Sequence, residues 1–75
     1  MMKIIEYTKH AKIRMMQRKI SHLDVRKVVQ NPEYTIQRFE NEIEAFKQIN
    51  GRLLKVVYVK RNNFLKVVSL YWIGE

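Results

Sequence analysis

Glu42-Ile43-Glu44-Ala45-Phe46-Lys47-Gln48-Ile49-Asn50-Gly51-Arg52-Leu53-Leu54-Lys55-Val56-Val57-Tyr58-Val59-Lys60 is the stretch that decides the fold. Asn50-Gly51 at its centre is a two-residue turn signal, because both residues tolerate the positive φ angles that a tight hairpin demands. Before the turn the period is two: Glu42 and Glu44 face opposite to Ile43 and Ala45. After it, Arg52 to Lys60 is β-branched and almost continuously apolar, which suits a strand inside a sheet rather than at its margin. Residues 64–73 have the same character beyond a turn at Arg61-Asn62-Asn63. Residues 34–39 form a strand ahead of the hairpin, closed by a turn at Glu40-Asn41. Four antiparallel strands in a meander are expected, with 52–60 and 64–73 central.

Working outward, the N-terminal part changes to helical signals. Thr8 supplies an N-cap hydroxyl for a helix running to about residue 19, and unbranched helix formers fill it. Ser21 caps a second helix, with Asp24 at the third position as a shortened capping-box partner and Ile20 and Val25 as the hydrophobic staple. Val25, Val28 and Val29 make its buried stripe, and Asn31-Pro32 ends it. Residues 3–7 read as a short strand or an extended lead-in. No repeat, linker or low-complexity stretch interrupts the chain. The expectation is one α+β domain over 1–75, two N-terminal helices packed across one face of a four-stranded antiparallel sheet.

A chain of 75 residues buries only about 60% of its unfolded surface, so a net stability near ~5 kcal/mol is expected. It has no cysteine, which excludes a disulfide scaffold and thiolate metal ligands and fits a reducing compartment. The opening Met1-Met2-Lys3-Ile4-Ile5-Glu6-Tyr7 lacks the apolar run of a signal peptide, and no apolar run approaches the ~20 residues of a membrane span. A cytoplasmic protein with no membrane partner is expected.

Fifteen basic against seven acidic side chains give a net charge of +8. Its distribution is polarised: residues 1–31 carry +6, residues 32–49 carry −2 and residues 50–75 carry +4. That asymmetry steers polyanions toward one end, although small lysine-rich proteins also carry positive charge for solubility alone.

In the first helix His10, Arg14 and Arg18 are four apart and fall within an arc of about 80°. Gln17 lies at the edge of this arc, and Ala11 and Met15 border its other side. Arginine makes forked, permanently charged contacts to phosphate oxygens, and histidine moves protons near neutral pH. A phosphodiester suits such a row, while basic residues four apart are also common on solvated helix faces. His22 reads as a surface imidazole, and two histidines without clustered carboxylates do not make a zinc site. Nucleotide-binding glycine loops and the G-x-S-x-G elbow are absent, and no cofactor is implied. Met15, Met16 and Trp72 read as core filler and sheet packing, or, for an exposed Trp72 beside Tyr71, as a surface on which a base stacks.

Thr8-Lys9-His10-Ala11-x-x-Arg14-Met15-x-x-Arg18-x-Ile20-Ser21, followed by Asp24-Val25 and Asn31-Pro32-Glu33, resembles the opening of a widespread prokaryotic family of domains of unknown function with an H-A-x-x-R-M-x-x-R-x-I signature. Leu54-Lys55-Val56-Val57-Tyr58 and Val67-Val68-Ser69-Leu70-Tyr71 are similar to its two C-terminal strands, with Ser69 where threonine is frequent. That family is associated with RelE-like and BrnT-like ribonuclease toxins, the fold group of barnase and the colicin tRNases. The resemblance implies a RelE-like fold and a metal-independent endoribonuclease, the toxin of a toxin–antitoxin pair, with RNA and an acidic antitoxin as partners. It implies catalytic roles for His10, Arg14, Arg18, Ser69 and Tyr71. The RNA-binding candidates are Lys12, Gln17 and Tyr58, of which Tyr58 enters through the resemblance. Tyr58, Ser69 and Tyr71 also suit ordinary sheet positions.

Two other readings stay open. The basic patch alone would serve a non-catalytic RNA-binding or ribosome-associated module. The acidic strand 42–49, as an open edge, would serve a protein-interaction domain that pairs with a partner strand or with a second copy in a homodimer.

Overall fold

A computed structural model describes residues 4–74. Its elements are β1 (Ile4–Tyr7), α1 (Lys9–Arg18), α2 (His22–Gln30), β2 (Tyr34–Gln37), β3 (Glu42–Ile49), β4 (Arg52–Lys60) and β5 (Phe64–Trp72). The sheet has five strands in the order β1-β5-β4-β3-β2. β2 to β5 form the expected antiparallel meander, and β1 adds a fifth strand parallel to β5. The sheet is therefore mixed and five-stranded, not four-stranded and antiparallel. Ile5 and Tyr7 of β1 pack against the core, a pairing partner some sixty positions away that leaves no local trace in four residues. Lys3, the first residue of the expected lead-in, lies outside the described residues.

The helix boundaries follow their caps. Thr8 Oγ1 accepts from Ala11 N at 3.0 Å. Lys19 ends α1 in the left-handed region at φ 55°, and Ile20 N closes the motif on Met15 O at 2.9 Å. The Ser21–Asp24 capping box forms in both directions. The Asn50-Gly51 hairpin has both residues at positive φ, 54° and 82°. β2 stops at Gln37, two residues short of the expected end, where the Gln37 side chain donates to the Phe39 and Glu40 carbonyls and turns the chain.

Both helices pack on one face of the sheet. Ala11, Ile20, Val25 and Val28 meet Ala45, Leu54, Val56, Tyr58, Leu65, Val67, Leu70 and Trp72 there. A bulge keeps this face apolar: Val57 pairs with Ser69 but Tyr58 with Val67, so Val68 is an extra residue and Val67 and Leu70 both point inward. Met16 is 81% exposed and is not core filler, whereas Met15 packs against the core. Trp72 is buried, which removes it as a stacking surface.

Strand alternation puts Glu44, Phe46, Lys55, Val57, Ser69 and Tyr71 on the opposite face, away from the two helices. β3 is paired on both sides, with β2 and β4. The acidic strand is thus interior, and the open-edge reading of 42–49 is corrected: the free edges belong to β1 and β2.

Candidate nucleic-acid interface

The site begins with how α1 is tied to β5. Thr8 N donates to Val67 O at 3.1 Å as the chain leaves β1, and Trp72 Nε1 donates to Arg18 O at 3.0 Å. These two bonds fasten the start of α1 to Val67, where the β1 pairing ends, and its end to Trp72 at the close of β5. Ala11, fully buried, lets the helix approach closely. Arg14 and Arg18 then extend past the margin of the strand onto the helix-free face, where Tyr71 lies.

Arg14 Cζ stands 5.4 Å and Arg18 Cζ 5.8 Å from the Tyr71 ring centroid. Lys55, cross-strand neighbour of Tyr71, brings Nζ to 5.2 Å from the same ring. Three cations therefore surround one aromatic ring, whose quadrupole offsets part of their mutual repulsion. Arg14 Nε donates to His10 Nε2 at 2.8 Å, so the helix row converges as its spacing predicts. That bond uses the Nε2 lone pair of His10 as its acceptor. Among the described residues neither Arg14 nor Arg18 pairs with a carboxylate. These two half-buried arginines carry positive charge that no carboxylate among the described residues offsets, and an oxyanion is the ligand that would relieve it.

Ser69 shares the face and strand of Tyr71 and is half-buried. Gln17 is exposed and adjoins His10 around the helix, about 20° away. The other two candidates are not brought to the cluster. Lys12 is exposed but lies about 160° around α1 from His10. Tyr58 is buried in the core on the helix-covered face, where burial raises its phenol above the ordinary value of 10.0. Tyr7 is raised for the same reason, opposed by the Arg26 charge, and its hydroxyl meets His22 Nδ1, away from the row.

Three members of the face escaped the sequence reading. Glu44 is a buried carboxylate whose Oε2 lies 3.0 Å from an Arg38 guanidinium nitrogen and 3.4 Å from Lys55 Nζ. The available signal was Lys55 itself, a lone charge inside an apolar strand run. Among the described residues no three His, Cys, Asp or Glu side chains gather as metal ligands, and no helix is long and apolar enough to cross a membrane.

The model of the family described as "Domain of unknown function (DUF4258)" matches residues 7–72. Neither a curated protein nor a solved structure matches the chain.

Proposed function

We propose that this chain, which belongs to the DUF4258 family, is an endoribonuclease that cuts RNA through attack of the 2′-hydroxyl on its own phosphate. The observation that carries this reading is the meeting of Arg14 and Arg18 beside one ring, Tyr71, with His10 hydrogen-bonded to Arg14 and no carboxylate on either arginine among the described residues. An internal nucleophile needs no metal-bound water. What it needs is a proton acceptor and donors for the charge that grows on phosphorus oxygens.

His10 and the two arginines fill those roles. A phosphate oxygen is a stronger acceptor for a guanidinium than a neutral imidazole is, so bound RNA draws Arg14 away from His10 and releases the Nε2 lone pair. His10 then takes the proton from O2′. The O2′–P bond forms as the P–O5′ bond breaks, and the imidazolium gives its proton to O5′. The products are a 2′,3′-cyclic phosphate and a 5′-hydroxyl. Arg14 and Arg18 hold the non-bridging oxygens, and loss of one such donor costs ~3 kcal/mol, roughly a hundredfold in rate. Ser69 adds a hydroxyl beside Tyr71. The α1 signature resembles a family associated with the RelE-like and BrnT-like toxins, and that association supports a place in a toxin–antitoxin pair, with an acidic antitoxin covering the basic face.

The test is incubation of purified protein with RNA in EDTA, with end-group analysis of the fragments. Cyclic phosphate ends from the wild type and intact RNA from His10→Ala are the expected results. Equal cutting by His10→Ala removes the assigned role, and RNA that is bound but never cut makes the domain a binding module.

A further inference from the structure

Tyr34, Phe46, Lys55 and Tyr71 stand opposite one another in successive strand pairs: Tyr34 with Phe46, Phe46 with Lys55, and Lys55 with Tyr71. They form one row across β2, β3, β4 and β5, on the face away from the helices. With strands about 4.8 Å apart, the two ends of the row are about 14 Å from each other. Arg14 and Arg18 sit at the Tyr71 end. At the other end the Tyr34 ring stacks on Phe46, centroids 4.5 Å apart and planes 13° from parallel. Phe46 is 7% exposed and Tyr34 49%, so the stack is closed on its inner side and open on its outer one. Lys55 lies between the two ends.

We infer that this row is a track for extended single-stranded RNA, running from the Arg14–Arg18 cluster past Lys55 to a base stacked on the outer face of Tyr34. It rests on the nuclease reading, because the phosphate at Arg14 and Arg18 is its origin. Charge complementarity selects the occupant: Arg14, Arg18 and Lys55 line one path, Glu44 beside it is held by Lys55 and Arg38, and at the Tyr34 end the Glu33 carboxylate accepts from Gln48 N. The row is also longer than one phosphate can use. A flat, half-exposed aromatic at its far end accepts any base whose π-face is free, which single strands offer and paired bases do not. The two ends hold RNA by different forces. Contacts to phosphate at α1 weaken with salt, whereas stacking on Tyr34 does not.

That difference defines the experiment. Fluorescence anisotropy is measured across a salt series with an uncleavable 2′-O-methyl octauridylate and the matching dinucleotide, for wild type, Tyr34→Ala, Tyr34→Phe and Arg14→Ala. Circular dichroism checks that each variant is folded. Tyr34→Ala should weaken octamer binding about tenfold with an unchanged salt slope and leave the dinucleotide unaffected, while Tyr34→Phe binds as wild type. Octamer affinity unchanged in Tyr34→Ala, or equal losses for both lengths, overturns the track. If Arg14→Ala still weakens binding in that case, the nuclease reading survives alone. A wild type that binds RNA duplex or an acidic peptide in preference to the octamer overturns the track as well. Absence of binding to RNA of either length removes both proposals.

Discussion

Replacing Glu44 by glutamine should move stability and RNA affinity in opposite directions. The Glu44 side chain is 8% exposed and bridges Arg38, 51% exposed, and Lys55, 22% exposed. Removing one partner from a fully buried ion pair costs ~3–5 kcal/mol, and from a surface pair ~0–1. Here Arg38 regains water readily, Lys55 does so less well, and the amide oxygen of glutamine keeps one acceptor in place. A loss of about 1–2 kcal/mol follows, between those limits. For a domain of this size that lowers the melting temperature by about 4–16 °C. Lys55, no longer shared with a carboxylate, becomes a full phosphate contact, so binding to single-stranded RNA tightens and the log–log salt slope steepens by about 0.7. Thermal circular dichroism and anisotropy over a salt series read the two effects. A variant whose affinity falls with its stability would show that Glu44 serves RNA directly, and an unchanged melting temperature would show that the bridge contributes nothing.

Arg14→Ala should flatten the salt slope by about 0.7 for one lost phosphate contact, and Lys12→Ala, on the far side of α1, should leave it unchanged; anisotropy distinguishes them. Thr8→Ala removes the cap that starts α1 and should cost about 1 kcal/mol, a drop in melting temperature that Thr8→Ser recovers. Burial raises the Tyr58 phenol above 10.0 in the folded state, so the unfolded chain gives up its proton first. The stability it contributes is complete below pH 10 and is lost as pH rises through the folded value. Urea midpoints followed into alkali should therefore fall less steeply for Tyr58→Phe, with RNA binding at neutral pH unaffected.

The hairpin around Asn50-Gly51, both helix caps and the central place of β4 and β5 were legible because each is written in neighbouring residues: a turn pair, a capping box, a run of β-branched side chains. The short strand at residues 4–7 was one of two readings, but its place beside β5 was not legible, since a parallel strand is specified by its distant partner. The interior position of β3 was hidden for a related reason. Glu42 and Glu44 resemble a solvated margin until Arg38 and Lys55, from two other segments, are seen to neutralise Glu44. Within the site, helical spacing was enough to align His10, Arg14 and Arg18. It could not show that Tyr71 would be the surface on which the arginines meet, because that depends on α1 being fastened along β5. The Val68 bulge turns Val67 to the core face, opposite Ser69 and Tyr71, and no residue type announces it. Tyr58, on the β4 face of Leu54 and Val56, ended in the core.

Joint engagement of His10, Arg14, Arg18 and Tyr71 by one phosphodiester is tested most directly by nuclear magnetic resonance, in a titration with a 2′-O-methyl dinucleotide that cannot be cut. The guanidinium Nε–H signals of Arg14 and Arg18, the His10 imidazole and the Tyr71 ring should all shift along one binding curve, with the Arg14–His10 hydrogen bond lost as the dinucleotide fills the site. Shifts confined to other surfaces, or arginine signals that stay fixed while His10 moves, would contradict a shared phosphate site.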